Sequence, residues 1–168
     1  MLMGRLCLLG KLGESQVDEA GVRLLLKAVR LLRRCDFGQQ DIRTCVAYAA
    51  AYLQRVMQVC GPKMSPKETS HVVVLLLFMA HSYTQDEPCP LSQWHRHLFA
   101  GYCAVRDLNS VVVKLLVVQR YSLEVNPEDF ASLLTSLTAD PPGRSGPLAS
   151  VCAIEVLPAR RTVDQRGG

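Results

Sequence analysis

Cys89, His95, His97 and Cys103 are the residues of this chain whose types and closeness could do chemistry, because two thiols and two imidazoles can make a zinc site. Their spacing argues against it. His95 and His97 are two positions apart, so on a helix their side chains diverge by about 200°, and the cysteines follow no finger spacing. His71 and His81 lie ten apart without an obvious third ligand. The chain has no glycine-rich phosphate loop, no GxSxG, no HExxH and no motif pairing a nucleophile with a base. The expectation is therefore no enzyme, no cofactor and no metal.

What is left is recognition chemistry. Ser82, Tyr83, Asp86 and Glu87 cluster where a long apolar run gives way to a polar turn, and Val112 sits in a second apolar run. Ser82 and Tyr83 suit a partner surface as well as a helix-end hydroxyl and a core edge. Asp86 and Glu87 suit either a solvated turn or a partner's Arg or Lys. Val112 suits the core or an interface.

The element that must position them is His71–Ala80, HVVVLLLFMA, in which nine of ten residues are apolar. It is too short to cross a bilayer, which takes roughly 20 such residues, so it must be buried in protein. Val, Leu and Phe in a row would also make a buried strand, and the flanks arbitrate. Ser65 is a candidate N-cap, Pro66 stands at the first helical position and Glu68 at the reciprocal capping position. The reading is a buried helix over Pro66–Tyr83, stopped by QDEPCP.

Around it, Ser15–Cys35 has three-four apolar spacing, acids early and arginines late, which predicts a helix broken by Asp36–Phe37–Gly38. Gln39–Cys60 predicts a second, with Ala47, Ala50 and Ala51 allowing close approach of a neighbour, ended by Gly61–Pro62. Leu91–Tyr102 follows with Ser92 as N-cap and a stripe of Trp94, Leu98, Phe99 and Tyr102. Leu108–Arg120, capped by Asp107 or Asn109, is apolar almost all round, so it too is expected to be nearly fully buried. Its β-branched residues keep a strand open there. Pro127–Leu137 predicts a short last helix with Asn126 as cap.

Composition bounds the rest. At 168 residues, 49% hydrophobic and 20% charged, the chain suits one soluble domain with a real core. A net charge of +4 without a Lys/Arg run longer than two argues against a nucleic-acid binder. Seven scattered cysteines without a CxxC read as reduced thiols of an intracellular protein, cytoplasmic or nuclear. Residues 1–14 make a poor signal peptide and no membrane span, and are expected to be a flexible N-terminus. Residues 15–138 form the domain. Residues 139–168 contain PPGRSGP and lack a sustained period, so a mostly disordered tail is expected, with a brief ordered segment at Val151–Leu157.

Three ordered motifs resemble the cyclin box. YAAAYLQRV at 48–56 resembles its second helix, LLLFMAHSYTQDEPCPLSQW at 75–94 its third helix and exit, and LNSVVVKLLVVQRYSLEVNPEDF at 108–130 its fifth helix and exit. The likeness covers roughly residues 38–137. Leu-Asn-Ser at 108–110 and YSLEVNP at 121–127 are similar to the phosphate-pathway cyclins, and the pattern from Ser82 to Leu91 is similar to the neuronal activators of a cyclin-dependent kinase. The implied fold is all-α: an orthogonal five-helix box with a flanking N-terminal helix and a short C-terminal helix.

The resemblance implies a regulatory subunit whose partner is a cyclin-dependent-like Ser/Thr kinase. In that family the third and fifth box helices pack on the kinase C-helix and turn it inward, so that its Glu pairs with the ATP-positioning Lys. The chain departs from the family pattern at three charges. The family Lys falls on Ser82, the family Glu on Val112 and the Asp of the second-helix motif on Gln54. Two charged hydrogen bonds to a kinase, each worth about 1.5–3 kcal/mol, are thereby missing. The neuronal-activator type also carries Ser at the Lys position, so binding would lean on apolar burial. The alternative is a degenerate cyclin-like scaffold for non-kinase partners.

Overall fold

A computed structural model describes residues 19–60 and 64–138. The expectations for residues 1–14 and 139–168, and the Gly61–Pro62 stop, lie outside the described residues. Six helices are present and, among the described residues, no strand: α1 Glu19–Arg34, α2 Gln39–Cys60, α3 Pro66–Thr84, α4 Leu91–Trp94 running on into a π-helical His95–Phe99, α5 Val105–Val118 and α6 Pro127–Thr138. The all-α expectation holds, and the strand alternative for α5 falls away. A five-helix box with a helix on each side would need seven. The described residues hold six.

Why α3 forms the centre is visible in its start and its circumference. The Ser65 Oγ accepts from the Glu68 N–H at 3.3 Å while the Glu68 carboxylate accepts from the Ser65 N–H at 2.8 Å, and Pro66 opens the helix. Two of the amide protons that a helix start leaves orphaned are thus satisfied. Val73, Val74, Leu75, Leu76 and Leu77 are all buried. Five consecutive positions sweep more than one full turn, so α3 meets protein on every side. Full burial of each Leu contributes about 1.5–3 kcal/mol, which outweighs the modest helix preference of the β-branched run.

α2 runs against α3 with Ala47, Ala49, Ala50 and Ala51 all buried. These short side chains let the two backbones come close, as the sequence predicts. The Cys45 Sγ lies 3.3 Å from the Thr84 Oγ1, tying the start of α2 to the end of α3 and fixing the pair as antiparallel. α1 covers another flank of α3, and α6 packs on α2. The break after α1 is made by Asp36 in the left-handed region (φ 62), with the Phe37 N–H returning to the Leu32 carbonyl at 3.3 Å.

Two expectations change. The fourth helix does not continue evenly to Tyr102: it widens into a π turn, and the His95 imidazole meets the Cys103 carbonyl at 2.7 Å. Its expected cap also fails, because Pro90 and not Ser92 precedes the helix. α5 starts three residues earlier than expected, with Ala104 before it and the Asp107 carboxylate accepting from the Ala104 N–H at 3.2 Å. Nor is α5 buried all round. Only Leu108, Val112 and Leu115 are buried along it, whereas Val111, Val113 and Val117 face out. A run of apolar residues does not by itself distinguish a central helix from an outer one that keeps a second apolar face.

Candidate partner-binding surface

The last turn of α3 is held by one buried imidazole. His81 is fully buried, and its Nε2 accepts from the Cys89 N–H at 2.8 Å. Phe37 crosses the ring edge-on at 4.5 Å and Trp94 lies 6.1 Å away. An Nε2 that accepts is unprotonated, so the ring is neutral with its proton on Nδ1, which has no hydrogen-bond partner. Burial lowers the His81 pKa. This bond folds the QDEPCP turn back on the helix, leaving Ser82, Asp86 and Glu87 exposed.

Tyr83 is 47% exposed and sits at the edge of the core. One side of its ring meets Tyr48 at 5.8 Å, and Tyr48 in turn meets Phe130 of α6 at 5.1 Å. The remainder faces solvent. Asp86 and Glu87 have no ion-pair partner among the described residues.

Val112 stands apart from this group. It is 9% exposed and belongs to the buried stripe with Leu108 and Leu115, so its side chain packs in the core rather than on a partner surface. The outward face of α5 is carried instead by Val113 and Val117, one turn apart, 46% and 54% exposed. Tyr121 follows them just beyond the helix end, exposed as well. The approach to α5 packs at the beginning of α3: Tyr102 meets His71 at 5.2 Å, and the Lys67 Nζ stands 5.9 Å from the Tyr102 ring centre. His71 and Tyr83 are twelve positions apart, about 18 Å along a helix axis. The start of α5 and the exit of α3 therefore lie toward opposite ends of the central helix.

A clamp that sequence reasoning missed holds the chain beyond α5. The Arg55 guanidinium donates to the carbonyls of Ser122 and Glu124 at 2.9 Å each and to the Gln119 Oε1 at 3.3 Å. The Tyr52 hydroxyl donates to the Leu123 carbonyl at 2.6 Å, and the buried Gln119 side chain returns a bond to the Tyr52 carbonyl at 2.9 Å. In place of an Asp–Arg bridge inside α2, Arg55 thus satisfies backbone acceptors of the α5–α6 connection. The sequence carries no signal for this clamp: α2 has two arginines, Arg43 and Arg55, and nothing in their spacing tells which one donates outside the helix.

The four residues of the zinc reading are separated by other duties. Cys89 gives its N–H to His81, His95 is engaged with Cys103, and His97 faces a cleft against α1. Among the described residues no three His, Cys, Asp or Glu side chains gather as a metal ion would require. Burial, then the neighbouring Cys35 thiol, pushes the Cys89 thiol up to about 12, which leaves it a poor nucleophile at neutral pH. Five described cysteines are free thiols. No described helix is long and apolar enough to cross a membrane. The chain matches no protein-family model, no curated protein and no solved structure.

Proposed function

We propose that this chain is a regulatory subunit that binds and activates a cyclin-dependent-like Ser/Thr kinase, using the exit of α3 and the outward face of α5. The observation that carries the reading is the exposed pair Val113 and Val117 on a helix whose opposite stripe, Leu108, Val112 and Leu115, packs in the core. Two valines and Tyr121 held in solvent are the apolar contribution that a binding surface without the family Lys and Glu needs. Ser82, Tyr83, Asp86 and Glu87 supply the polar rim. Val112 drops out of the contact set and supports it from beneath.

On this reading the chain performs no chemistry. It favours the kinase state in which the C-helix is turned inward, and its effect equals its difference in affinity for the two states. A shift from one part in a hundred to ninety-nine parts takes roughly 5.5 kcal/mol of such difference. The complex would work in the cytoplasm or nucleus, where reduced thiols such as these persist. The test is to add the purified full chain to a panel of inactive cyclin-dependent kinases and follow phosphorylation of a Ser-Pro peptide. Activation of one member is expected. Silence across the panel, with the chain shown to be folded, overturns the reading.

A second reading, a cyclin-like helical scaffold for non-kinase partners, is favoured by one observation. The approach to α5 packs at the far end of α3 from Ser82 and Tyr83, so a partner gripping both ends would need a longer contact than a single kinase helix end.

A further inference from the structure

The side of the molecule formed by α1 carries a feature that the kinase reading does not use. Arg23, Lys27, Arg30 and Arg34 recur at four, three and four residues, which places them within about 60° of one another around α1. Arg23 is engaged by Glu19 at 2.6 Å. Lys27, Arg30 and Arg34 have no ion-pair partner among the described residues. All three line one half-open cleft of about 230 Å³, whose apolar floor is Leu31 and Leu98 and whose opposite wall is His97. His97 and Leu98 come from the π-helical segment, which packs against α1.

Three cations in one cleft repel one another. The C-terminal end of the α1 dipole favours Arg34, but no acidic side chain among the described residues pairs with any of the three to offset the rest. An anion would. Two guanidinium groups one turn apart offer forked donors that match the three oxygens of a phosphoryl group, with the Lys27 ammonium and the His97 ring beside them. The cleft is too small for a drug-sized ligand and is a pocket with an apolar floor. A membrane surface would call for a flat basic face, and a nucleic-acid backbone for a longer track of cations. We infer that the cleft between α1 and the π-helical turn binds a phosphorylated Ser or Thr side chain of a peptide partner, with Lys27, Arg30 and Arg34 as its cationic contacts. The inference does not depend on kinase activation and stands or falls separately.

The test is fluorescence anisotropy of the full chain with a labelled peptide carrying one phosphoserine, beside the same peptide unphosphorylated. The phosphorylated form is expected to bind at least about tenfold more tightly, with affinity falling as salt rises and with inorganic phosphate competing. The double variant Arg30→Glu and Arg34→Glu should abolish that preference while its helical circular dichroism is unchanged. Arg30→Lys, which keeps the charge and loses the fork, should weaken it by less. Lys114→Glu, a single charge reversal on α5 for which Arg30→Glu alone is the matched change, should leave it within about twofold. Equal affinity for the two peptides overturns the proposal, as does retention of the preference in the double variant. Tighter binding to phosphatidylcholine vesicles containing a phosphatidylinositol phosphate, or to oligouridylate, would equally overturn it in favour of a lipid or nucleic-acid site.

Discussion

The Cys89 backbone N–H and the His81 Nε2, 2.8 Å apart in the buried interior, join the loop after the central helix to that helix's own last turn. The bond exists only while the imidazole is neutral. A proton on Nε2 would replace attraction with repulsion between two donors and leave a buried charge without a partner.

The first prediction concerns acid. Burial lowers the His81 pKa in the folded chain, and in the unfolded chain it sits near 6.5. Above 6.5 both states are neutral at this residue and stability is unaffected by it. As pH falls below 6.5 the unfolded chain takes up the proton first, so stability declines until the lowered folded value is reached, at most by about 1.4 kcal/mol per pH unit. Urea melts of the parent and of His81→Gln between pH 7.5 and 5 should diverge in slope, the variant being flatter. Parallel lines would show that His81 is not buried as a neutral ring.

A second pair of variants separates core from surface on α5. Val112→Asp places an unpaired carboxylate in the buried stripe beside Leu108 and Leu115, so it should lower stability by about 3 kcal/mol or more, or prevent folding. Val113→Asp, one residue on and 46% exposed, should change stability by about 0.5 kcal/mol or less and lose whatever partner the face binds. If the two variants melt alike, the helix is rotated from the arrangement described.

The same pair shows how much was legible beforehand. The start of α3 is encoded locally, in Ser65, Pro66 and Glu68, and local chemistry of that kind can be read from a string of letters. So can the small-residue face of α2. The rotation of α5 cannot be read that way, because Val111, Val112, Val113, Val117 and Val118 offer apolar surface in every direction. Only the positions of α2, α3 and α4 decide which of them is covered. Of the candidate surface, the exposed exit of α3 was readable from the polar turn. Reading Val112 as a contact residue followed from aligning it with a family position, which carries no information about rotation. The cleft on α1 was hidden for a related reason: its cations are never more than two in a row, and only the helical period brings Lys27, Arg30 and Arg34 to one side.

A third prediction follows from the Arg55 clamp. Arg55→Ala removes the donors to Ser122, Glu124 and Gln119 together. The freed carbonyls lie near solvent and water can reach them, so the loss should be about 1–3 kcal/mol rather than that of a buried network. Arg55→Lys should recover less than half of it, since a single ammonium cannot span carbonyls two residues apart with a planar fork. Hydrogen exchange should rise over 119–125 and little elsewhere. Uniform acceleration across the chain would mean that the clamp supports the whole fold.

The end of α5 supplies the last prediction. Arg120 and Tyr121 both lie in the left-handed region, at φ 54 and 56, and the Tyr121 N–H returns to the Leu116 carbonyl at 2.9 Å. That is a helix stop usually made with glycine, here made with two residues that carry a Cβ. A left-handed residue with a Cβ costs roughly 1–2 kcal/mol, and a glycine gives back part of this through the greater freedom of the unfolded chain. Arg120→Gly should therefore raise stability by about 0.5–1 kcal/mol. Arg120 is exposed and its side chain makes no hydrogen bond among the described residues, so no contact offsets the gain. Tyr121→Gly should be less favourable, because it also removes an exposed aromatic ring from the end of the α5 face. Thermal melts of the two variants, read beside Arg120→Ala, which keeps the Cβ and should gain nothing, decide whether backbone strain at this stop is the cause.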